Sequence, residues 1–345
     1  MAESNCKAPK VSVLMITYNH INFITQAIES VLMQQTDFEY ELVIGEDCST
    51  DGTREIVKNY AEKYPDKIKT LIHPENVGMQ QNFLKVLEAC RGEYAALLEG
   101  DDYWADPLKL QKLVDFLDNN LDFSICFHKI KILENNELKD DYITIVPGNI
   151  STIEDLAKDN YIHTPSCMFR NRGTEILGEN FLRSPVGDYY IHMMNALYGK
   201  IYYIDEPMAV YRIHENSIWS NKGSNYKQLK SLIAYICIFN DIKCKGFDSN
   251  IINCLQKTLF PFYSQICERL KFIDNLDSVF TSKNDITIIF DFYEFLCLPK
   301  LNDLYSQEYA SYNFSLAIMH LRLGFKILFF KIINGHFLSK LFILK

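Results

Sequence analysis

VSVLMITYN, residues 11–19, is the segment from which the architecture of the chain can be predicted. Its apolar part, Val11–Ile16, is continuous, which is typical of a strand buried on both faces of a parallel sheet. The polar residues Thr17, Tyr18 and Asn19 follow immediately, where such a strand would reach the edge of the sheet. The segment therefore predicts a buried strand that delivers polar side chains to a sheet edge.

The same arrangement recurs further along the chain. Strands are predicted at 40–45, 67–73 and 94–98, and helices at 24–32, from a cap at Ser49, Thr50 or Asp51 to about Tyr64, and at 82–90. This alternation predicts an α/β fold with a doubly wound, mostly parallel sheet. Such sheets bind ligands at the carboxyl ends of their strands. We therefore expect one cleft, lined by the polar clusters that follow the strands: residues 17–19, 46–49, 76–78 and 99–102.

The pattern is less regular in the second half of the chain. A helix is predicted from the Asp106-Pro107 pair, strands at 124–132, 143–146 and 166–169, and helices at 153–157 and 188–198. The composition changes near NKGSN, residues 221–225, which predicts a domain boundary. We expect a first domain over residues 1–222 and a mainly helical C-terminal region over residues 223–345.

Composition and charge restrict the class of protein. The 345 residues are 48% hydrophobic and 13% aromatic, as in folded globular proteins. A net charge of −9 argues against nucleic acid as a partner. The ten cysteines contain no CxxC pair, which favours reduced core thiols. Because no apolar signal segment or run of about 20 apolar residues is found, we expect a cytoplasmic protein, or one held on the inner face of the cell membrane.

The segment LLEGDDYW, residues 97–104, places three carboxylates after the fourth predicted strand: Glu99, Asp101 and Asp102. Like charges this close raise each other's pKa unless a cation or hydrogen-bond donors compensate. Oxygen ligands suit Mg²⁺ or Mn²⁺ better than zinc, and such an ion usually also binds substrate phosphates. The sequence contains no P-loop or GxGxxG motif that would bind them otherwise. The alternative is a solvated acidic turn without a ligand.

These motifs resemble glycosyltransferase family 2, whose members have the GT-A fold and transfer a sugar from a nucleotide sugar. The matching stretches are VSVLMITYNH, ELVIGEDCSTDGT, ENVGMQQN and LLEGDDYWADPLKL, and the match extends through GDYYIHMM and MAVYRIHENSIW. The sequence EGDDYW is similar to one branch of the family. The resemblance implies nucleotide-sugar binding by residues 10–110, and an acceptor side with the catalytic base in residues 111–222.

The resemblance also implies functions for individual positions. The residues expected to contact the nucleotide sugar are Ile16, Thr17, Tyr18, Asn19, Asp47, Ser49, Asn76, Asn82, Glu99, Gly100, Asp101 and Arg212. Mn²⁺ or Mg²⁺ is expected at Asp101, Asp102 and His214. The catalytic base corresponds to Asp188, and Thr164 and Ser166 are candidate acceptor contacts.

Several of these positions also have a structural explanation. Asp47 and Asp188 each precede or begin a predicted helix and could act only as N-caps. His214 could be an exposed loop residue, and Thr164 and Ser166 could belong to a strand edge. Glu99 replaces the aspartate common in the family, and MQQN replaces a stretch that often carries an arginine.

The resemblance implies an inverting, metal-dependent glycosyltransferase that acts on a glycan or lipid-linked glycan, in the synthesis of a bacterial surface polysaccharide. Two alternatives belong to other classes. A sugar nucleotidyltransferase would be expected to have a glycine-rich basic loop after the first strand, which TYNHIN lacks. A non-catalytic nucleotide-sugar binding protein would need Asp47 and the acidic cluster but not Asp188.

The C-terminal segment, residues 320–345, generates a prediction of its own. It carries Arg322, Lys326, Lys331, Lys340 and Lys345 among large apolar residues and no acidic residue, which is typical of a helix on an anionic membrane surface. The alternative is a helix packed on the first domain. The full chain should sediment with anionic vesicles but not neutral ones, because each basic residue contributes about 1 kcal/mol at an anionic surface. Equal sedimentation of a chain that lacks residues 320–345 would contradict the prediction.

Overall fold

A computed structural model describes residues 8–259, except 216, 218, 220, 221, 248 and 249. Strands and helices alternate in its first half: β1 (Val11–Thr17), α1 (Ile24–Leu32), β2 (Tyr40–Glu46), α2 (Thr53–Lys63), β3 (Ile68–Ile72), α3 (Met79–Ala89) and β4 (Tyr94–Glu99). The second half contains β5 (Tyr103–Trp104), α4 (Lys109–Asn119), β6 (Phe123–Glu134), β7 (Glu137–Asp140), β8 (Ile150–Ser151), α5 (Ile153–Leu156), β9 (Met168–Arg170), α6 (Gly187–Ala196), β10 (Lys200–Ile213) and α7 (Ser224–Cys244). Residues 250–259 are also helical.

All ten of these strands belong to one sheet, in the order β3-β2-β1-β4-β9-β6-β10-β5, with β7 beside β6 and β8 beside β10. The strands β3, β2, β1 and β4 are parallel neighbours, and β6 is parallel to β10. The short strand β9 runs antiparallel between β4 and β6. Ile16 lies level with both Gly45 and Glu99, so β1, β2 and β4 end at the same sheet edge.

Alternate residues of β1 point to opposite faces of the sheet, as the two-residue period of a strand requires. Val13 and Met15 pack in an apolar cluster with side chains of α1, α2 and α4. Leu14 packs on the other face in a cluster with side chains of α3, α6 and α7. Helices therefore cover both faces, and the predicted α/β class with a doubly wound, mostly parallel sheet is confirmed.

Some local predictions were wrong. Residues 143–146 form no strand: they lie between β7 and β8, none of the described strands pairs with them, and the Ile145 side chain is 86% exposed. Helix α2 is capped by Gly52, which has φ +105°, rather than by a preceding polar side chain. Asp51 instead accepts a hydrogen bond from the Thr53 amide at 3.0 Å. Helix α3 begins three residues before the predicted Asn82, at Met79.

Helix α7 follows the predicted domain boundary and packs on α6. Its residues Leu229, Leu232 and Ile236 belong to the same apolar cluster as the α6 side chains. Asp241 accepts hydrogen bonds from the Asn180 amide at 3.0 Å and side chain at 2.7 Å. Residues 260–345, which include the predicted membrane-surface helix, lie outside the described residues, and the boundary after residue 222 stays a prediction. Among the described helices, none is long and apolar enough to span a membrane.

Lys109 is fully buried at the start of α4. Its Nζ donates a 2.6 Å hydrogen bond to the Pro165 carbonyl, and the Trp104 indole donates to the same oxygen at 3.0 Å. The ammonium also lies 3.8 Å from the centroid of the Trp104 ring. Burial lowers the pKa of Lys109 well below its usual value, because the charged form is poorly solvated there.

We predict that Lys109→Met raises the free energy of unfolding at pH 7 by roughly 1–2 kcal/mol, because it removes a desolvated amine. In the wild type the unfolded chain binds the lysine proton more tightly, so stability rises with pH up to the unfolded pKa. The gain from Lys109→Met should therefore shrink between pH 7 and pH 10 in urea denaturation. The exposed Lys58→Met is the control. A loss of stability at both pH values would contradict the prediction.

Candidate active site

The polar clusters predicted at the strand ends lie together. The Asp47 amide donates to the Thr17 carbonyl at 3.0 Å, and the Asn19 amide donates to Ser49 Oγ at 2.9 Å. The Asn76 side chain donates to the Asp47 carbonyl at 3.2 Å. These bonds join the ends of β1, β2 and β3 into one wall of the predicted cleft.

The acidic turn after β4 lies directly against the end of β1. The Gly100 amide donates to the Ile16 carbonyl at 3.0 Å. A Cβ atom at position 100 would lie 2.5 Å from Thr17 Oγ1 and 2.9 Å from His20 Nδ1. Only glycine allows this approach, which explains the glycine inside the acidic cluster.

The three acids of the turn form a compact group, in which one carboxylate oxygen from each of Glu99, Asp101 and Asp102 lies within 4.8 Å of the others. Asp101 Oδ2 lies 3.1 Å from His214 Nε2 and 3.7 Å from His20 Nε2. Asp102 Oδ1 accepts a 2.8 Å hydrogen bond from the Arg212 backbone amide.

The protonation equilibria of the three acids differ. Burial, together with the charges of Asp101 and Asp188, raises the pKa of Glu99 well above its usual value. Burial, together with its acidic neighbours, does the same for Asp102. Burial also acts on Asp101, but the hydrogen bond from His214 and the charges of both histidines outweigh it and lower the Asp101 pKa. Among the described neighbours of the cluster, positive charge therefore favours the ionised form of Asp101 over that of the other two acids.

A divalent cation fits this cluster. Within the described part of the chain, Asp101 Oδ1 and Asp102 Oδ2 are buried oxygens with no hydrogen-bond partner. Buried carboxylate oxygens without a donor are costly unless a cation binds them. An all-oxygen set with a nearby imidazole is typical of Mg²⁺ or Mn²⁺ ligands.

Two further side chains, those of Arg212 and His20, lie beside the acids. The Arg212 guanidinium, which was expected to contact the nucleotide sugar, donates hydrogen bonds to the Asp101 carbonyl and to Gln26 Oε1 and thereby supports the acidic turn.

His20 was not predicted as a site residue, although it directly follows the TYN cluster. Its Nδ1 lies 3.2 Å from Thr17 Oγ1, which orients Nε2 towards Asp101. Burial lowers the His20 pKa, partly offset by Asp101.

Asp47 connects two loops. Its carboxylate accepts hydrogen bonds from the amides of Val77 at 2.7 Å and Gly78 at 3.0 Å, and the residue is only 3% exposed. Asp47 is therefore not the cap of α2, which begins after Gly52. Tyr18, by contrast, is 41% exposed at the same strand ends and is accessible to a ligand.

The side chains of two other predicted contact residues are buried and form hydrogen bonds within the protein core. Asn82 is 1% exposed; its side-chain Nδ2 donates to the Gly45 carbonyl at 2.9 Å, and its Oδ1 lies 3.0 Å from His73 Nε2. Ser166 is fully buried and donates to the His163 carbonyl at 2.7 Å. Both side chains therefore have structural roles, and Ser166 belongs to a short helical turn, Thr164–Ser166, rather than to the strand edge considered from the sequence.

Asp188 lies in the first turn of α6, where Val186 is the N-cap. Asp188 is therefore not the cap of this helix. Its Oδ2 accepts a 3.2 Å hydrogen bond from Thr164 Oγ1. Asp188, Thr164 and Glu99 line one small pocket that is partly open to solvent. The structure thus brings the predicted base, one predicted acceptor contact and the acidic cluster together.

Comparison with known proteins shows the family of the chain. The family model described as Glycosyl transferase family 2 matches residues 12–179. A glycosyltransferase of Bacillus subtilis named for teichuronic acid biosynthesis, TuaG, is 31% identical over 222 residues, which cover 64% of this chain and 85% of TuaG. An uncharacterized protein of Mycobacterium tuberculosis is 36% identical over 211 residues, which cover 61% of this chain and only 60% of that protein.

The fold also matches solved structures. The crystal structure of S. aureus TarS in complex with UDP-GlcNAc superposes with a TM-score of 0.56 at 21% sequence identity, and the match covers 83% of this chain and 81% of TarS. At this level of identity the similarity concerns the fold, which is the one expected from the strand and helix order.

The position of Asp47 generates a prediction that separates a structural role from a ligand contact. Asp47→Asn should lower the free energy of unfolding by about 1.5–3 kcal/mol without any ligand, since hydrogen bonds to a charged acceptor contribute that much. Urea denaturation of the ligand-free protein measures this, with the exposed Asp66→Asn as the control. Unchanged stability of Asp47→Asn would show that the two amide bonds do not hold the loops together.

Proposed function

Because the chain belongs to glycosyltransferase family 2, we propose that it transfers a sugar from a nucleoside diphosphate sugar to a hydroxyl group of a glycan or lipid-linked glycan. The observation that carries the proposal is the position of Asp188 on the same pocket as Glu99, the first acid of the cluster. Glycosyl transfer needs a leaving-group side and a base side, and we assign the acidic cluster to the first and Asp188 to the second.

The donor would bind along the carboxyl ends of the strands. Tyr18 is exposed there and offers an aromatic face to the nucleobase, while Asn19 and Ser49 hold the adjacent loop in place. The diphosphate would lie at the acidic turn. The UDP-GlcNAc bound to TarS supports a nucleotide sugar as the ligand class for this fold.

Asp101 and Asp102 would hold a divalent ion through their unpartnered oxygens, with His214 beside them. When bound, such an ion neutralises negative charge that develops on a departing diphosphate. Both Mn²⁺ and Mg²⁺ suit this set of groups. Gly100 and Arg212 contribute by fixing the turn that presents the two carboxylates.

Asp188 is proposed as the general base. Its carboxylate takes the proton of the acceptor hydroxyl, the hydroxyl oxygen forms a bond to C1 of the donor sugar, and the bond from C1 to the diphosphate oxygen breaks. The nucleoside diphosphate leaves with the bonding electrons. Attack from the side opposite to the departing diphosphate inverts the configuration at C1. Thr164 donates to Asp188 Oδ2 and so holds the carboxylate in one orientation.

The biological setting is part of the proposal. TuaG is named for the biosynthesis of a teichuronic acid, which supports a role in a bacterial surface polysaccharide. An acceptor linked to a lipid would require the enzyme to work at the inner face of the cell membrane, in agreement with the basic segment 320–345.

We predict that Asp188→Ala lowers the rate of sugar transfer by about 10²- to 10⁴-fold, the usual contribution of a general base. Binding of the donor should be retained, because the proposed base acts on the acceptor hydroxyl. Release of nucleoside diphosphate is measured with uridine, thymidine and guanosine diphosphate sugars, a panel of glycan acceptors and Mn²⁺ or Mg²⁺. Calorimetry on the same variant measures donor affinity.

The exposed Asp159→Ala serves as the matched control for loss of one carboxylate. A wild-type rate for Asp188→Ala would refute the assignment of the base. Donor binding without turnover in the wild type would favour a non-catalytic nucleotide-sugar binding protein. Formation of a nucleotide sugar from a nucleoside triphosphate, with release of pyrophosphate, would favour a nucleotidyltransferase.

A further inference from the structure

The pocket between Glu99 and Asp188 has an apolar floor. Leu14, Phe83, Leu97 and Phe181 form this floor, and each is at most 8% exposed. The rings of Phe83 and Phe181 lie 5.9 Å apart between centroids. These floor side chains therefore belong to the protein core and also line the pocket.

The polar side chains of the pocket are less buried than its floor, and most of their donors are already used. Gln80 Nε2 donates to the Ser184 carbonyl at 2.7 Å, and Thr164 Oγ1 donates to Asp188. The other two polar side chains of the pocket are Glu99, from the acidic cluster, and Asp188, the proposed base. Among the residues that line the pocket, none of those on the floor carries a polar side-chain atom. A hydroxyl group that entered the floor would lose its water without gaining a partner.

We propose that the floor of this pocket binds a methyl group of the transferred sugar, so that the preferred donor carries a methyl group in place of an exposed hydroxymethyl or hydroxyl group. This proposal rests on the proposed function. The methyl group can belong to a 6-deoxyhexose or to the acetamido group of an N-acetylhexosamine. Both present the same small apolar surface, which matches Leu14, Leu97 and the two phenylalanines.

The donor rather than the acceptor is the expected source of the methyl group. The pocket is walled by the ends of β1 and β4, which carry Ile16 and Glu99, and by the first turn of α3 at Met79. These elements lie on the side of the acidic turn, where the diphosphate is proposed to bind. The sugar attached to that diphosphate is therefore the proposed occupant of the floor, and the acceptor hydroxyl is proposed to approach from the opposite wall, which carries Asp188.

Matched nucleotide sugars test the proposal by calorimetry without an acceptor, with Mn²⁺ present. Glucose, galactose and mannose are compared with their 6-deoxy and 2-acetamido counterparts, each on uridine, thymidine and guanosine diphosphate. Within one nucleotide, we expect a methyl-bearing sugar to bind roughly tenfold or more tightly than its parent, since apolar pockets discriminate single groups by such factors. The 6-deoxy and acetamido arms identify which methyl group is bound.

A pair of variants at one position assigns the preference to this pocket. Met79 is partly exposed at the pocket wall, so substitutions there should not prevent folding. Met79→Gln adds a hydrogen-bonding group and should reduce the preference for the methyl-bearing sugar several-fold. Met79→Leu keeps the wall apolar and should retain the preference.

The outcomes separate this proposal from the proposed function. Equal or tighter binding of the parent sugars would overturn the methyl assignment and leave glycosyl transfer intact. A methyl preference that Met79→Gln does not reduce would overturn its assignment to this pocket. If no nucleotide sugar of the series binds, both the methyl assignment and the proposed function fail.

Discussion

The site depends on the contact between the Gly100 turn and the end of β1. The hydrogen bond from the Gly100 amide to the Ile16 carbonyl continues the pairing of β4 with β1 into the turn. A side chain at position 100 would collide with Thr17 and His20. Because the two strands end level, the acids emerge beside the polar cluster of β1 rather than in open solvent. The histidine contacts of Asp101 and the pocket lined by Glu99 both depend on this placement.

Burial and hydrogen bonding then distinguish the cluster from an exposed acidic turn. An exposed acidic turn would orient its carboxylates towards water, whereas Asp102 is buried and two carboxylate oxygens lack partners among the described residues. His214 and His20 compensate Asp101, and the backbone amide of Arg212 binds Asp102. These groups offset only part of the negative charge. The remaining deficit is the physical reason to assign a cation to this place, independently of any family resemblance.

The sequence was sufficient to predict the alternating strands, the sheet edge and the polar clusters, because these depend on local periodicity and on the geometry of parallel sheets. It was not sufficient where a contact joins distant segments. The amides that bind Asp47 come from a loop thirty residues later, and the buried environment of Lys109 depends on Pro165, 56 residues away. The strand predicted at 143–146 was wrong for the opposite reason. Its local apolar pattern suits a strand, but none of the described strands pairs with it.

The orientation of Asp188 depends on a chain of contacts that begins in the core. Lys109 and Trp104 both donate to the Pro165 carbonyl, so two buried donors on α4 and β5 hold the turn that contains residues 164–166. Thr164 in that turn donates to Asp188, which lies on a different element, α6. A carboxylate that must accept a proton from a substrate benefits from a single orientation, because proton transfer requires hydrogen-bond geometry. A buried lysine without an acidic partner is costly for stability, and here it supports the turn that positions the proposed base.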